Sequence, residues 1–250
     1  QNKMSVKQRT LKSEFSLNGK GLHTGKQVTA TFKPAEENFG YRIRRMDLEG
    51  SPEIPALAEY VKLMDRASCL EKDGVCVFTM EHAMAALYGC GIDNCLIELS
   101  GEEFPILDGS AKYYVKEIEK VGFEEQKADR RYFTVKEQME FCSEDGQTKI
   151  TLLPDTDYNI NLVVAYDSPY LQMQYATYSE KVTDFAKEIA KMTEQAIQAS
   201  AKTDEVNGEA AGTPTAVIKT DYFTCFTQEM LKQLASNPNV NYEIHYRYQG

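Results

Sequence analysis

Residues 78–87 read "FTMEHAMAAL", and they indicate the class of fold because a strand-like run passes here into a helix. The later stretch "CLIELS", at 95–100, is a short apolar run typical of a strand. Two runs that alternate with period two lie upstream, at 28–34 and 40–47. Strands with helices interposed predict a mixed α+β fold.

This order of strands followed by a helix occurs twice. Residues 111–120 ("AKYYVKEIEK") close the first set, with apolar side chains on one face of a predicted helix. The second set contains three runs typical of strands, at 132–141, 149–154 and 158–167. Residues 179–192 then predict a helix. We therefore predict two similar layered α+β domains, each a sheet packed on helices, over 1–125 and 131–195, the second incomplete, with a ligand cleft between them.

The character of the sequence changes near residue 195. Residues 198–214 are rich in Ala, Gly, Thr and charge and are interpreted as a linker. Residues 215–250 form a short, unassigned α/β piece, with a predicted helix at 226–236 and a predicted strand at 242–248. That strand is expected to be an edge strand without a partner, which suggests that more chain belongs beside it.

Composition argues against several classes of function. Lys and Arg number 28 against 38 Asp and Glu, a formal net charge of −10. This balance does not favour binding to nucleic acid or to an anionic membrane. No apolar run approaches the ~20 residues of a membrane span, and the start lacks the apolar centre of a signal peptide. We expect a cytoplasmic protein that is not membrane-spanning.

The six cysteines are scattered along the chain, which favours a reducing compartment over a disulfide framework. Cys90 and Cys95, in "CGIDNC", are spaced too widely for the usual zinc knuckle. Buried packing is the favoured interpretation of these thiols.

The adjacent Glu81 and His82 have two interpretations. In the structural one, they are first-turn helix residues, and the carboxylate complements the positive end of the helix dipole. In the functional one, His82 ligates zinc while Glu81 takes a proton from a metal-bound water. The pair by itself favours the structural interpretation.

Three long motifs change this balance. "GKGLHTGKQVTATFKPA", "MEHAMAALYGCGIDNCLIEL" and "EFPILDGSAKYYV" occur in this order, and together they closely resemble the UDP-3-O-acyl-N-acetylglucosamine deacetylase family of lipid A biosynthesis. The resemblance covers residues 7–190, including "LLPDTDYNINLVVAYDSPYLQMQYATY" of the second set. It is strongest to members fused to a 3-hydroxyacyl-carrier-protein dehydratase, which makes such a fusion or partnership an expectation.

The resemblance implies a zinc enzyme that releases acetate from a UDP-linked acylated amino sugar. His82 matches the family's first zinc ligand, and Glu81 matches its general base. Leu22 and His23 of "GLHTG" match positions near the active site. Ser68, in "MDRASCL", stands where the family has a threonine-containing stretch and is expected to substitute for a threonine in substrate binding.

The second half departs from the family pattern. The family takes its other zinc ligands from an H-x-x-x-D helix, followed by a Gly-His, and neither motif is present here. The last histidine, His245, has no Asp after it at that spacing. Thr193 is one position out of register with the family's active-site threonine. One histidine with distant carboxylates would bind zinc weakly.

Three hypotheses follow from the sequence. The first is a truncated or fused deacetylase with an incomplete active site. The second is a non-catalytic protein that keeps a nucleotide-sugar-binding cleft as a binding or scaffold module. The third is an active hydrolase with an alternative ligand set such as His23, His82 and His245. Metal analysis separates the third hypothesis from the other two.

Overall fold

The computed structural model describes residues 6–64, 67–144, 146, 148–165, 173–190 and 245–247. These residues form sheets with few helices, so the α+β class predicted from the sequence is confirmed. The chain divides into two compact units, Gln1–Arg131 with Phe185–Lys191, and Tyr132–Asp184 with Met192–Gly250. The predicted linker at 198–214 and the predicted helix at 226–236 lie outside the described residues.

The first unit contains most of the regular structure. Its strands are β1 (Lys7–Leu11), β2 (Phe15–Lys20), β3 (Gln27–Pro34), β4 (Tyr41–Arg45), β5 (Glu53–Pro55), β6 (Val61–Met64), β7 (Ala67–Lys72), β8 (Val75–Phe78), β9 (Cys95–Leu99) and β10 (Phe123–Asp129). Its helices are α1 (Glu81–Gly89), α2 (Lys112–Val121), a 3₁₀ turn (Ala58–Tyr60) and a π-helical turn (Phe185–Ile189). Among the described helices, none is long and apolar enough to cross a membrane.

A five-stranded sheet with the order β2-β3-β9-β4-β5 forms the centre of this unit. Strand β3 alternates as its sequence predicts, and Val28, Ala30 and Phe32 point into the core. Strands β4 and β9 run parallel, and the other neighbouring pairs are antiparallel. The observed β3, β4 and β9 confirm the strands predicted at 28–34, 40–47 and 95–100.

Helices α1 and α2 supply the rest of the core. The predicted helix at 111–120 is observed as α2, which buries Tyr114, Val115 and Ile118. The ring of Tyr114 meets Phe32 of β3 edge-on, with centroids 5.8 Å apart. In α1 the residues that reach the core are Ala83, Ala86 and Leu87. This packing holds the start of α1 in a fixed place over the sheet.

Strands β6, β7 and β8 form a separate three-stranded antiparallel sheet that leads directly into α1. The end of β8 also bridges to the segment that follows β9. Phe78 N donates to Glu102 O at 2.8 Å, and Phe104 N donates to Phe78 O at 3.0 Å. The residues just before α1 are therefore fixed to residues 102–104.

The second unit is built around a sheet with the order β11-β12-β15-β13-β14. Its strands are β11 (Met139–Cys142), β12 (Lys149–Leu152), β13 (Asn159–Ala165), β14 (Gln174–Ser179) and β15 (His245–Arg247). Strand β13 is the one predicted at 158–167, and Val163 and Val164 are buried in it.

The expectation that the C-terminal strand lacks a partner is wrong. Strand β15 lies between β12 and β13, antiparallel to β12 and parallel to β13. Its backbone groups therefore face a partner on each side, which satisfies them better than an edge position does.

Two other predicted elements are shorter than expected. The strand predicted at 132–141 is observed only from Met139, because the pairing with the four residues of β12 begins there. The helix predicted at 179–192 does not begin at Ser179, because this residue still pairs with Asn159 in the sheet. In the part of this segment that the structure describes, up to residue 190, the helical residues form one π-helical turn, closed by Ala190 N donating to Phe185 O at 2.9 Å.

Candidate active site

The Glu81–His82 pair lies at the start of α1, as the sequence predicts. Glu81 is the first residue of the helix, and the N-cap residue Met80 makes no side-chain capping bond. A carboxylate in the first turn is favoured by the positive end of the helix dipole. The pair is therefore held by a helix end whose other face is packed into the core.

The imidazole of His82 is almost completely buried, with 3% of the residue exposed. Its Nε2 lies 3.8 Å from Oε1 of Glu81. Burial lowers the pKa of His82, while the negative charges of Glu81 and Asp108 act in the opposite direction. The net shift favours the neutral imidazole, which is the form that ligates metals.

One carboxylate oxygen of Glu81 lacks a hydrogen-bond donor among the described residues. Within the described part of the chain, Oε2 is buried and accepts no hydrogen bond. A buried carboxylate oxygen without a donor is energetically unfavourable, so it requires a functional or structural reason. The free lone pairs fit an atom that accepts a proton from water or contacts a cation.

Leu22 and His23 lie in the turn between β2 and β3. The turn is closed by Gly21 N donating to Lys26 O at 3.0 Å and Gly25 N donating to Gly21 O at 3.1 Å. Leu22 is 59% exposed, and His23 is exposed as well. Both side chains thus lie on the surface, and a large apolar group there is available for contact with a ligand.

Ser68 lies in β7 with its side chain exposed. Its carbonyl accepts a hydrogen bond from Thr79 N at 3.0 Å. Thr79 comes two residues before Glu81 and has a left-handed backbone, with φ of 58°. Strand β7 is therefore connected directly to the segment that positions the Glu81–His82 pair.

Sequence reasoning missed the residue that joins these segments, Glu103. Its carboxylate accepts hydrogen bonds from His23 N at 2.9 Å, Thr24 N at 2.8 Å and Thr79 Oγ1 at 3.1 Å. The available signal was its place at the start of "EFPILDGSAKYYV", as the second of two adjacent glutamates. A sequence does not reveal which of two neighbouring glutamates is buried, so the sequence by itself does not distinguish Glu103 from an ordinary surface charge.

Zinc, implied by the resemblance, can be tested against these donors. His82 is a buried imidazole, and Glu81 carries the orphaned oxygen beside it. In the part of the chain that the structure describes, no three His, Cys, Asp or Glu side chains come together to hold a metal ion. A catalytic zinc takes three protein ligands. The described residues therefore fit part of a zinc site and do not form a complete one.

Comparison with known proteins identifies the family. The family model for UDP-3-O-acyl N-acetylglycosamine deacetylase matches residues 8–230. The bifunctional enzyme LpxC/FabZ of Bacteroides thetaiotaomicron is 52% identical over 185 residues, which are 74% of this chain and 40% of that protein. The protein of the same name from Porphyromonas gingivalis is 49% identical over 184 residues, again 74% of this chain and 40% of that protein.

Relatives named only for the deacetylase match as well. The UDP-3-O-acyl-N-acetylglucosamine deacetylase of Marinobacter nauticus is 39% identical over 188 residues, or 74% of this chain and 61% of that protein. The chain thus spans less than two thirds of the length of each of these three relatives. The extent of the family match leaves no doubt about kinship: the chain belongs to the UDP-3-O-acyl-N-acetylglycosamine deacetylase family.

Proposed function

We propose that this chain carries the first half of a deacetylase site for UDP-3-O-acyl-N-acetylglucosamine, in a truncated or fused form whose zinc ligands are incomplete. The observation that supports this proposal is the Glu81–His82 pair at the start of α1, with Glu81 Oε2 buried and unsatisfied within the described residues. Family membership supports the reaction class, hydrolysis of the acetamide in lipid A biosynthesis.

Each residue of the pair has a distinct role in the proposal. Hydrolysis of an amide requires a water that loses a proton as it attacks the carbonyl carbon. Glu81 accepts that proton, because its unsatisfied oxygen has lone pairs free for a water hydrogen. His82 serves as one zinc ligand, since its imidazole is buried beside that carboxylate and burial favours the neutral form.

Substrate binding is assigned to Leu22, His23 and Ser68. Leu22 offers an exposed apolar surface, and His23 offers an exposed imidazole that can donate or accept a hydrogen bond. The exposed hydroxyl of Ser68 takes the place of a threonine hydroxyl. A UDP-linked acylated amino sugar presents phosphate, hydroxyl and acyl groups, and these three residues match that mixture of polar and apolar chemistry.

The residue inventory supports the proposed incomplete ligand set. The sequence contains His23, His82 and His245, and none of them is followed by Asp at the fourth position. The described residues supply no third metal-binding side chain near His82. The proposal therefore assigns the remaining ligands to protein other than the residues that the structure describes. The bifunctional relatives make a fusion with a dehydratase the favoured arrangement.

Zinc content and turnover test the proposal together. After dialysis, the purified 250-residue chain should hold well below one equivalent of zinc, measured by elemental analysis, and should release no acetate from UDP-3-O-acyl-N-acetylglucosamine. One protein ligand out of three provides a small part of the about 10–16 kcal/mol that a complete structural zinc site provides. The matched controls are the His82→Ala and Glu81→Gln chains, which should behave like the parent in both assays.

The opposite result has a clear meaning. Stoichiometric zinc, together with acetate release that His82→Ala abolishes, would overturn the incomplete site and identify an alternative ligand set. His23 and His245 would then be the first ligands to substitute. Sequencing the gene across the codon for residue 191 tests the truncated or fused origin, since a longer reading frame encoding His-x-x-x-Asp is the expected result.

A further inference from the structure

The carboxylate of Glu103 is buried, with 2% of the residue exposed. Its oxygens receive two backbone N–H donors from the turn after β2 and one hydroxyl donor from Thr79. Burial raises the pKa of Glu103, but the hydrogen bonds from His23, Thr24 and Thr79 outweigh it and hold the pKa below its usual value. The group is therefore a buried anion, stabilised by donors from two separate segments.

Those two segments carry the proposed site. The turn presents Leu22 and His23, and Thr79 lies two residues before Glu81. Oε1 of Glu103 accepts from both His23 N and Thr79 Oγ1, so a single atom sets the spacing between them. Charge-assisted hydrogen bonds are shorter and stronger than neutral ones, which makes this spacing stiff.

The position of Glu103 is itself fixed by the backbone. The segment around it bonds to Phe78 at the end of β8, through Glu102 O and Phe104 N. Two residues further on, Ile106 N donates to Lys20 O at the end of β2 at 2.9 Å. The carboxylate thus rests on a backbone that is attached both to β8 and to β2.

Gly21 provides the space that the carboxylate occupies. A Cβ at this position would lie 2.2 Å from Oε2 of Glu103 and 2.5 Å from Oγ1 of Thr24. Both contacts are shorter than real Cβ atoms make, so a side chain at residue 21 and the present carboxylate position are incompatible. The absence of a side chain at the first glycine of "GLHTG" therefore leaves the room that the carboxylate of Glu103 occupies.

We propose that Glu103 is a positioning residue, which holds the Leu22–His23 turn in register with the Glu81–His82 helix start and thereby sets the affinity for the UDP-linked acylated amino sugar. The proposal rests on the proposed function for its ligand. Glu103 does not touch the substrate. Its effect passes through the backbone of His23 and through Thr79.

The test compares Glu103→Gln with Glu102→Gln in the full 250-residue chain. Glu102 is a matched control, because it is the adjacent glutamate and its pair with Lys26 lies on the surface of the same turn. Affinity for UDP-3-O-acyl-N-acetylglucosamine is measured by calorimetry at a temperature where circular dichroism shows each variant folded. Glu103→Gln should weaken binding at least tenfold, since its amide N–H₂ would oppose one backbone N–H. Glu102→Gln should stay within twofold.

Nuclear magnetic resonance gives a second readout that does not depend on the ligand. Glu103→Gln should shift the backbone amide signals of His23 and Thr24, and also those of Glu81 and His82, because the carboxylate couples both segments. Glu103→Asp keeps the charge and should restore part of the affinity and of the amide shifts. A purely structural role would lower the melting temperature without changing affinity, and that result would overturn the proposal.

Two further outcomes remain decisive. If Glu103→Gln does not fold, Thr79→Val removes one hydroxyl donor with little change of shape, and it should shift the Glu81 and His82 amides and weaken binding in the same direction. If the parent chain does not bind the UDP-sugar at all, the ligand assignment of the proposed function fails. In that case, amide shifts confined to His23 and Thr24 in Glu103→Gln would also overturn the positioning role, and shifts in both segments would support it.

Discussion

Gly21→Ala should destabilise the first unit because its new methyl group would occupy the space of a buried carboxylate. The Cβ would lie 2.2 Å from Oε2 and 2.7 Å from Cδ of Glu103. Ordinary van der Waals contact begins near 3.4 Å, so the carboxylate would have to move by roughly 1 Å. A shift of that size breaks at least one of its hydrogen bonds to His23 N and Thr24 N, which are 2.9 and 2.8 Å long.

The magnitude follows from two contributions. Inserting a methyl group into a packed region costs about 1–3 kcal/mol. Losing a hydrogen bond to a charged, buried acceptor costs about 1.5–3 kcal/mol more. Gly21→Ala should therefore lower the free energy of unfolding by about 3 kcal/mol or more. For a chain of this length, that loss corresponds to a fall of at least ~6 °C in melting temperature.

Thermal denaturation followed by circular dichroism measures the fall in melting temperature, with Gly25→Ala as the matched control from the same turn. Gly25 has φ of 64°, and no atom beyond its two chain neighbours lies within 4 Å of the position that a new methyl group would take there. Alanine at this position therefore meets only left-handed strain of about 1–2 kcal/mol. In a Glu103→Ala background the carboxylate is absent, so Gly21→Ala should lower the melting temperature much less than it does in the parent chain. Equal losses for Gly21→Ala and Gly25→Ala, or additive effects with Glu103→Ala, would refute the reasoning.

Three other substitutions have defined outcomes. Glu81→Gln should leave the melting temperature unchanged or slightly higher, because Oε2 is buried without a donor among the described residues; a clear fall in thermal denaturation would mean that Oε2 has a stabilising partner. A hydrogen bond from Arg45 lowers the pKa of Asp47 in the folded protein. This carboxylate therefore stabilises the fold fully at a pH above the unfolded pKa of about 3.9. The contribution is lost as the pH falls through the lowered pKa of the folded state. Asp47→Asn should therefore flatten the acid limb of a melting-temperature profile, and an unchanged limb would contradict this. Gly89→Ala would place a methyl group 2.2 Å from the ring of Phe185, so hydrogen exchange at the Ala190 amide should accelerate, and an unchanged rate would show that the ring still covers α1.

The sequence predicted elements well where one face of an element is buried. Strand β3 and helix α2 have clear periodicity, because alternate or every third and fourth side chains enter the core. It predicted poorly where pairing with distant strands decides the outcome. The residues after Ser179 look helical in isolation, yet Ser179 itself completes a strand beside Asn159. Likewise, β15 gains its place between β12 and β13 only through residues far away in the chain.

For the candidate site, the sequence by itself predicts which residues carry chemistry. Glu81 and His82 stand at a helix start because a strand-like run precedes an apolar-faced helix, and this order is local information. Their roles stay predictions. Only the tertiary structure decided that Glu103, rather than its neighbour Glu102, is the buried acceptor that links the turn after β2 to Thr79. The physical reason is that burial and hydrogen-bond partners depend on which distant segments surround a side chain, and two identical residues side by side carry no local record of that difference.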